Sequence, residues 1–105
     1  MITHNDDNID KFLDENTRVI ILFGATWCGP CKVFKPKFQA ISEANPDIVF
    51  AYCDIDDTRD TVTDLGIQSV PTVVGFFDGI EFESIVGVNI DKVNVLVEKL
   101  RSKST

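Results

Sequence analysis

Basic residues are scarce in this chain. Ten lysines and arginines stand against 17 aspartates and glutamates, a net charge of −7. Such a surface repels nucleic-acid phosphates and anionic lipid, which argues against nucleic-acid and membrane partners and for a soluble monomer. No apolar run approaches transmembrane length. The opening residues, Met1-Ile2-Thr3-His4-Asn5-Asp6-Asp7, are polar and acidic where a secretion signal is basic and then apolar, so the cytoplasm is the expected location. Cysteine is sparse as well. Three residues, an odd number, make no disulfide scaffold. The single histidine, His4, reads as a terminal surface residue, and Cys53 is isolated from the other thiols. A tetrahedral zinc site needs four ligands, usually in two close pairs, so no metal is expected. Asp54, Asp56 and Asp57 lack the spacing of a calcium loop and read as a solvated strand end.

What remains is an ordinary globular composition, with 44% of 105 residues apolar. That length fits one domain over residues 1–105 with a modest core. Met1 to His4 suits a short edge strand. Ile9, Phe12 and Leu13 form a helical stripe within Asp6–Asn16, with Asn5 or Asp6 as its cap. Val19–Phe23 is a continuous β-branched and aromatic run, the mark of a strand covered on both faces. From Cys28 or Pro30 to Ala44, Phe34, Phe38 and Ile41 recur at helical spacing, and Pro36 interrupts the ladder with a kink. Ile48–Asp54 reads as a second central strand. Thr58–Leu65 reads as a short helix closed by Gly66, with Thr58 as its cap candidate. Val73–Phe77 and Glu81–Val86 flank Asp78-Gly79, a strong hairpin signal. Ile90–Arg101 closes the chain as an amphipathic helix. The eight phenylalanines, Phe82 among them, read mainly as core. The order β-α-β-α-β-α-β-β-α implies an α/β fold, a mixed central sheet of about five strands flanked by four helices.

Trp27-Cys28-Gly29-Pro30-Cys31-Lys32 follows the first central strand and opens the long helix. A thiol there faces unpaired backbone N–H groups and the positive end of the helix dipole. Both favour the thiolate, the species that attacks disulfides, so the pair reads as a redox centre. Cys53 lies inside a strand. It reads as a small buried hydrophobe, with a regulatory thiol as the sharper alternative.

The run Phe23-Gly24-Ala25-Thr26-Trp27-Cys28-Gly29-Pro30-Cys31-Lys32, together with Pro36, Asp54-Ile55-Asp56, Val70-Pro71-Thr72, Asp78-Gly79 and Gly87, resembles the thioredoxin family along the whole chain. The resemblance implies a thioredoxin fold and protein-disulfide reduction by dithiol–disulfide exchange. Cys28 would be the exposed nucleophile and Cys31 the resolving thiol, cycling through a Cys28–Cys31 disulfide with no bound cofactor. Gly29 and Pro30 would shape the turn, and Pro71 would be the family's cis-proline beside the thiols. Trp27, Val70, Val86, Gly87 and Val88 would form an apolar docking surface, with Ile55 at its rim. Implied partners are a thioredoxin reductase, with NADPH behind it, and disulfide-bearing clients such as peroxiredoxin, ribonucleotide reductase or sulfoxide reductase. No nucleotide-binding motif suggests that the chain holds NADPH itself.

Three positions depart from the family pattern. Leu22 stands where many members have a buried Asp that assists proton transfer at the second cysteine, and Tyr52 stands where some have Lys. The proton step at Cys31 then falls to water or to the Tyr52 hydroxyl. Gly24 stands where an aromatic is common. Two other readings of the same residues are a docking subunit whose redox activity is incidental and a more oxidising isomerase.

Overall fold

A computed structural model describes residues 1–104. Its elements run β1 (Ile2–Thr3), α1 (Ile9–Glu15), β2 (Arg18–Gly24), α2 (Gly29–Ala44), β3 (Val49–Asp54), α3 (Arg59–Leu65), β4 (Thr72–Phe77), β5 (Ile80–Val86) and α4 (Ile90–Ser102). This is the expected order and the thioredoxin fold. The sheet order is β1-β3-β2-β4-β5. β1 and β2 lie parallel to β3, while β4 runs antiparallel to both β2 and β5.

Because strand side chains alternate, β2 feeds two cores at once. Ile20 and Leu22 join Phe34, Phe38, Leu96 and Leu100 on the side covered by α2 and α4. Val19, Ile21 and Phe23 join Ile9, Phe12 and Phe76 on the side covered by α1. All five of these β2 residues are 0% exposed, which accounts for the absence of alternation in the sequence. Each such side chain contributes roughly 1.5–3 kcal/mol by leaving water.

The hairpin is a two-residue turn in which Asp78 (φ 51°) and Gly79 (φ 80°) both adopt the left-handed conformation that twisted strands require. A Cβ on Gly75 would lie 2.9 Å from Leu96 Cδ1, so the missing side chain lets α4 settle on β4. α2 runs through Pro36, where one ladder donor is lost.

Three local expectations change. α1 starts after Asn8, which makes no side-chain cap bond. Asp6 instead accepts from the N–H groups of Asp60 and Thr61 at 3.0 and 3.1 Å, so it serves the start of α3. Thr58 donates its hydroxyl to the Asp54 carbonyl (2.8 Å) rather than capping α3. Phe82 is 36% exposed because β5 is an edge strand, and its ring lies beneath the Lys103 ammonium at 4.7 Å.

Candidate active site

β2 ends at Gly24, and the chain turns through Ala25-Thr26-Trp27 into α2. The turn closes when the Cys28 N–H donates to the Ala25 carbonyl (3.2 Å). Cys28 is the N-cap of α2, with extended backbone, and Pro30 occupies the first turn, where its missing N–H costs nothing. The Cys31 N–H donates to Cys28 Sγ at 3.2 Å. The sulfurs of Cys28 and Cys31 are joined in a disulfide, with the Cα atoms 5.3 Å apart.

The expectation of an exposed nucleophile needs correction. Cys28 is 6% exposed and Cys31 3%. Ala25, Ile55 and Val70 pack around the pair and cover it. Beside it the Val70–Pro71 peptide is cis, and the Val70 carbonyl oxygen lies 3.8 Å from Cys28 Sγ. The Gly87 N–H donates to the Pro71 carbonyl at 2.9 Å, which ties the Val86–Val88 segment alongside Pro71. Trp27, Val86 and Val88 are 66%, 70% and 46% exposed. Gly29 and Pro30 are exposed too. An apolar margin therefore lies in water next to a covered disulfide.

Two parts of this margin were not anticipated. Trp27 Nε1 donates to Asp56 Oδ2 (3.2 Å), and the Asp56 N–H donates to Asp54 Oδ1 (2.8 Å). The acidic strand end thus orients the tryptophan. The pairing Gly24↔Asp54 brings it there, and only the register between β2 and β3 could have signalled it. Val62 and Ile67 join Trp27, Ile55 and Val70 around a cavity of about 330 Å³. Val62 lies on α3 and Ile67 just past its end, and neither belongs to a motif that marks it in the sequence.

Leu22 is 0% exposed and lies directly across from Tyr52 in the β2–β3 ladder. Tyr52 packs against Gly24, and the Lys35 ammonium sits 3.8 Å from the centre of its ring. Burial, and after it the Asp54 carboxylate, push the Tyr52 hydroxyl above its ordinary range, which keeps its proton in place. Cys53 is 0% exposed, and burial pushes its thiol up to about 12. It is a protonated core residue near neutral pH. His4 is half-buried rather than a free surface residue. Its ring stacks on Phe12 at 3.9 Å, and Nδ1 lies 3.3 Å from Asn8 Oδ1.

A disulfide at the start of a helix that leaves a central strand, held on a backbone N–H and rimmed by apolar groups, defines a thiol–disulfide oxidoreductase. The family model described as Thioredoxin matches residues 1–101, and the chain belongs to the thioredoxin family. It is 38% identical to the thioredoxin of Coprinus comatus over 101 residues, 93% of this chain and 94% of that one. It is 34% identical to thioredoxin-2 of Pyricularia oryzae over 100 residues, which span 92% of this chain but 58% of that protein. It also superposes, at a TM-score of 0.88 and 28% identity over 94% of both chains, on a chain from work on thiol resolution in yeast mitochondrial 1-Cys peroxiredoxin via glutathione/thioredoxin systems. The Cys28–Cys31 disulfide within this fold carries dithiol–disulfide exchange.

Proposed function

We propose that the chain is a general protein-disulfide reductase. Cys28 as thiolate attacks a client disulfide, forms a mixed disulfide and releases one client sulfur as thiolate. Cys31 as thiolate then attacks Cys28 Sγ, releases the second client sulfur and closes the internal disulfide. Two electrons pass from the chain to the client. A thioredoxin reductase, using NADPH on its own subunit, would reopen the disulfide. Clients of the peroxiredoxin class fit this reading, with ribonucleotide reductase and sulfoxide reductase as further members of the same chemical class. The cytoplasm, where protein thiols are kept reduced, is the matching compartment.

The observation that carries the proposal is the placement of Cys28. Its sulfur accepts the Cys31 N–H at 3.2 Å and lies 3.8 Å from a carbonyl on the apolar rim. A backbone-led, apolar rim suits many clients, since main-chain pairing is independent of sequence.

The test has two arms. Insulin reduction by dithiothreitol should accelerate sharply when the chain is added, whereas a pure docking subunit would leave the rate unchanged. Equilibration with glutathione should give a potential of about −270 mV, and a value near about −120 mV would make the chain an oxidant.

A further inference from the structure

We propose that the Tyr52 hydroxyl donates a hydrogen bond to Cys31 Sγ once the internal disulfide has opened, and so positions and stabilises the resolving thiolate. The inference rests on the exchange reading above and concerns only its second step.

The argument begins at Gly24. A Cβ built there would lie 3.1 Å from both Tyr52 Cε2 and the Tyr52 hydroxyl oxygen, and 3.5 Å from Cys31 Cβ. The phenol and the base of the Cys31 side chain therefore flank the same small point, which any residue larger than glycine would occupy. The ring is fixed where it stands. Tyr52 is 8% exposed within the core under α2, and the Lys35 ammonium lies on its face. Leu22, its partner across the ladder, brings no titratable group to the same side of the sheet. The charged groups around the phenol are Lys35 on α2, and Asp54 and Asp57 at the far end of β3 and beyond. The hydroxyl is pushed above its ordinary range, so it keeps its proton and acts as a donor rather than as a base.

In the mixed disulfide Cys31 is a thiol. Its proton passes to water, and the thiolate left behind accepts the Tyr52 O–H. The sulfur electron pair then attacks Cys28 Sγ. The bond between Cys28 and the client sulfur breaks, the client leaves as thiolate, and Cys28 and Cys31 are oxidised to the disulfide. Tyr52 ends the cycle with the proton it started with.

Tyr52→Phe removes the hydroxyl and keeps the ring. Stopped-flow mixing of the reduced chain with dithiobis(nitrobenzoate) releases one coloured thiolate when Cys28 attacks and a second when Cys31 closes. The variant should slow the second release roughly tenfold at neutral pH, the usual effect of one hydrogen bond to a charged group, with the first release within about twofold of the parent. In a Cys28→Ser background, the ultraviolet thiolate titration of Cys31 should move up by about one pH unit when the hydroxyl is removed. An unchanged second release, or an unmoved titration where both releases fall together, overturns the inference. A parent chain that releases only one thiolate overturns the exchange reading itself, and the inference with it.

Discussion

Cys53 and the Cys28–Cys31 pair are one residue type in two settings, and exposure does not separate them. Cys28 is 6% exposed, Cys31 3% and Cys53 0%. Cys53 sits in the middle of the sheet, paired with Phe23, where ladder bonds already use the backbone donors. Cys28 sits where a strand has ended and a helix begins, and its sulfur receives a helix N–H. In the sheet interior burial outweighs a backbone hydrogen bond from His4 and holds the Cys53 thiol protonated. The helix start offers hydrogen bonds and the positive end of a dipole. Thiol chemistry in this molecule is set by the balance between burial, which wins at Cys53, and the donors and dipole of a helix start, which act at Cys28.

The harshest way to break the contrast is to remove the sulfur at the helix end. Cys28→Ser should bring insulin reduction down to the rate of dithiothreitol alone, because a serine hydroxyl does not ionise near neutral pH. Cys31→Ser should instead accumulate a mixed disulfide with the client, visible by intact mass. Cys53→Ala should leave turnover within about twofold of the parent and cost about 1 kcal/mol in denaturant unfolding, the usual scale of a small core truncation. A loss of turnover in Cys53→Ala would place chemistry in the sheet interior and erase the distinction.

A second way is to put an ionisable group into that interior. Leu22 is 0% exposed, so Leu22→Asp must bury a carboxyl among apolar neighbours. It should lower stability by about 3 kcal/mol or more, measured by urea titration. The same variant should speed exchange at some pH between about 6 and 9 if a buried base on this strand can take the Cys31 proton. A variant no faster anywhere in that range would mean that Leu22 does not limit the proton step.

These contrasts were legible in part from the residues. The apolar run Val19–Phe23, the helical stripes of α2 and α4 and the Asp78-Gly79 turn each have one structural solution, and the element order followed from them. The redox pair was legible because strand, turn and helix signals meet at Cys28. What the sequence could not supply was neighbourhood. Periodicity says which face a residue occupies and not what lies across from it. Asp6 read as a cap for the helix that follows it and instead serves α3, far along the chain, because the β1–β3 pairing brings the two segments together. Gly24 read as a place where an aromatic is common, while in the fold Tyr52 fills the place of its missing side chain. The cover over Cys28 comes from Ile55 and Val70, two separate loops that no local pattern joins.

A gentler probe titrates the interior thiol. Burial raises the Cys53 thiol from its ordinary 9.0 to about 12. Its contribution to stability is fully present below the unfolded value and is lost as pH rises toward the folded one, because the unfolded chain ionises first. With Cys28 and Cys31 kept in their disulfide, Cys53 is the one thiol left to titrate. The stability of the oxidised chain should therefore fall between about pH 9 and pH 12, and Cys53→Ala should flatten that fall. Tyr52, also raised, leaves a residual slope in the variant. An equally steep fall in both proteins would assign the slope to the phenol instead.

The smallest effect tests whether a helix end favours an anion of another kind. The Asp6 carboxylate accepts the Thr61 hydroxyl at 2.7 Å and the N–H groups of Asp60 and Thr61 at the start of α3. The Thr61 hydroxyl above all, and the two N–H groups after it, hold the carboxyl below its ordinary 3.8. A lowered value means that the stabilisation is complete above the ordinary value and disappears as pH falls through the folded one. Asp6→Asn keeps the shape and one acceptor oxygen but gives up the charge. Its midpoint of thermal unfolding should sit slightly below the parent's at neutral pH and meet it in strong acid. A gap that persists unchanged into acid would mean that the lost geometry, rather than the anion, was what the start of α3 had favoured, and the parallel with Cys28 would then rest on the thiol alone.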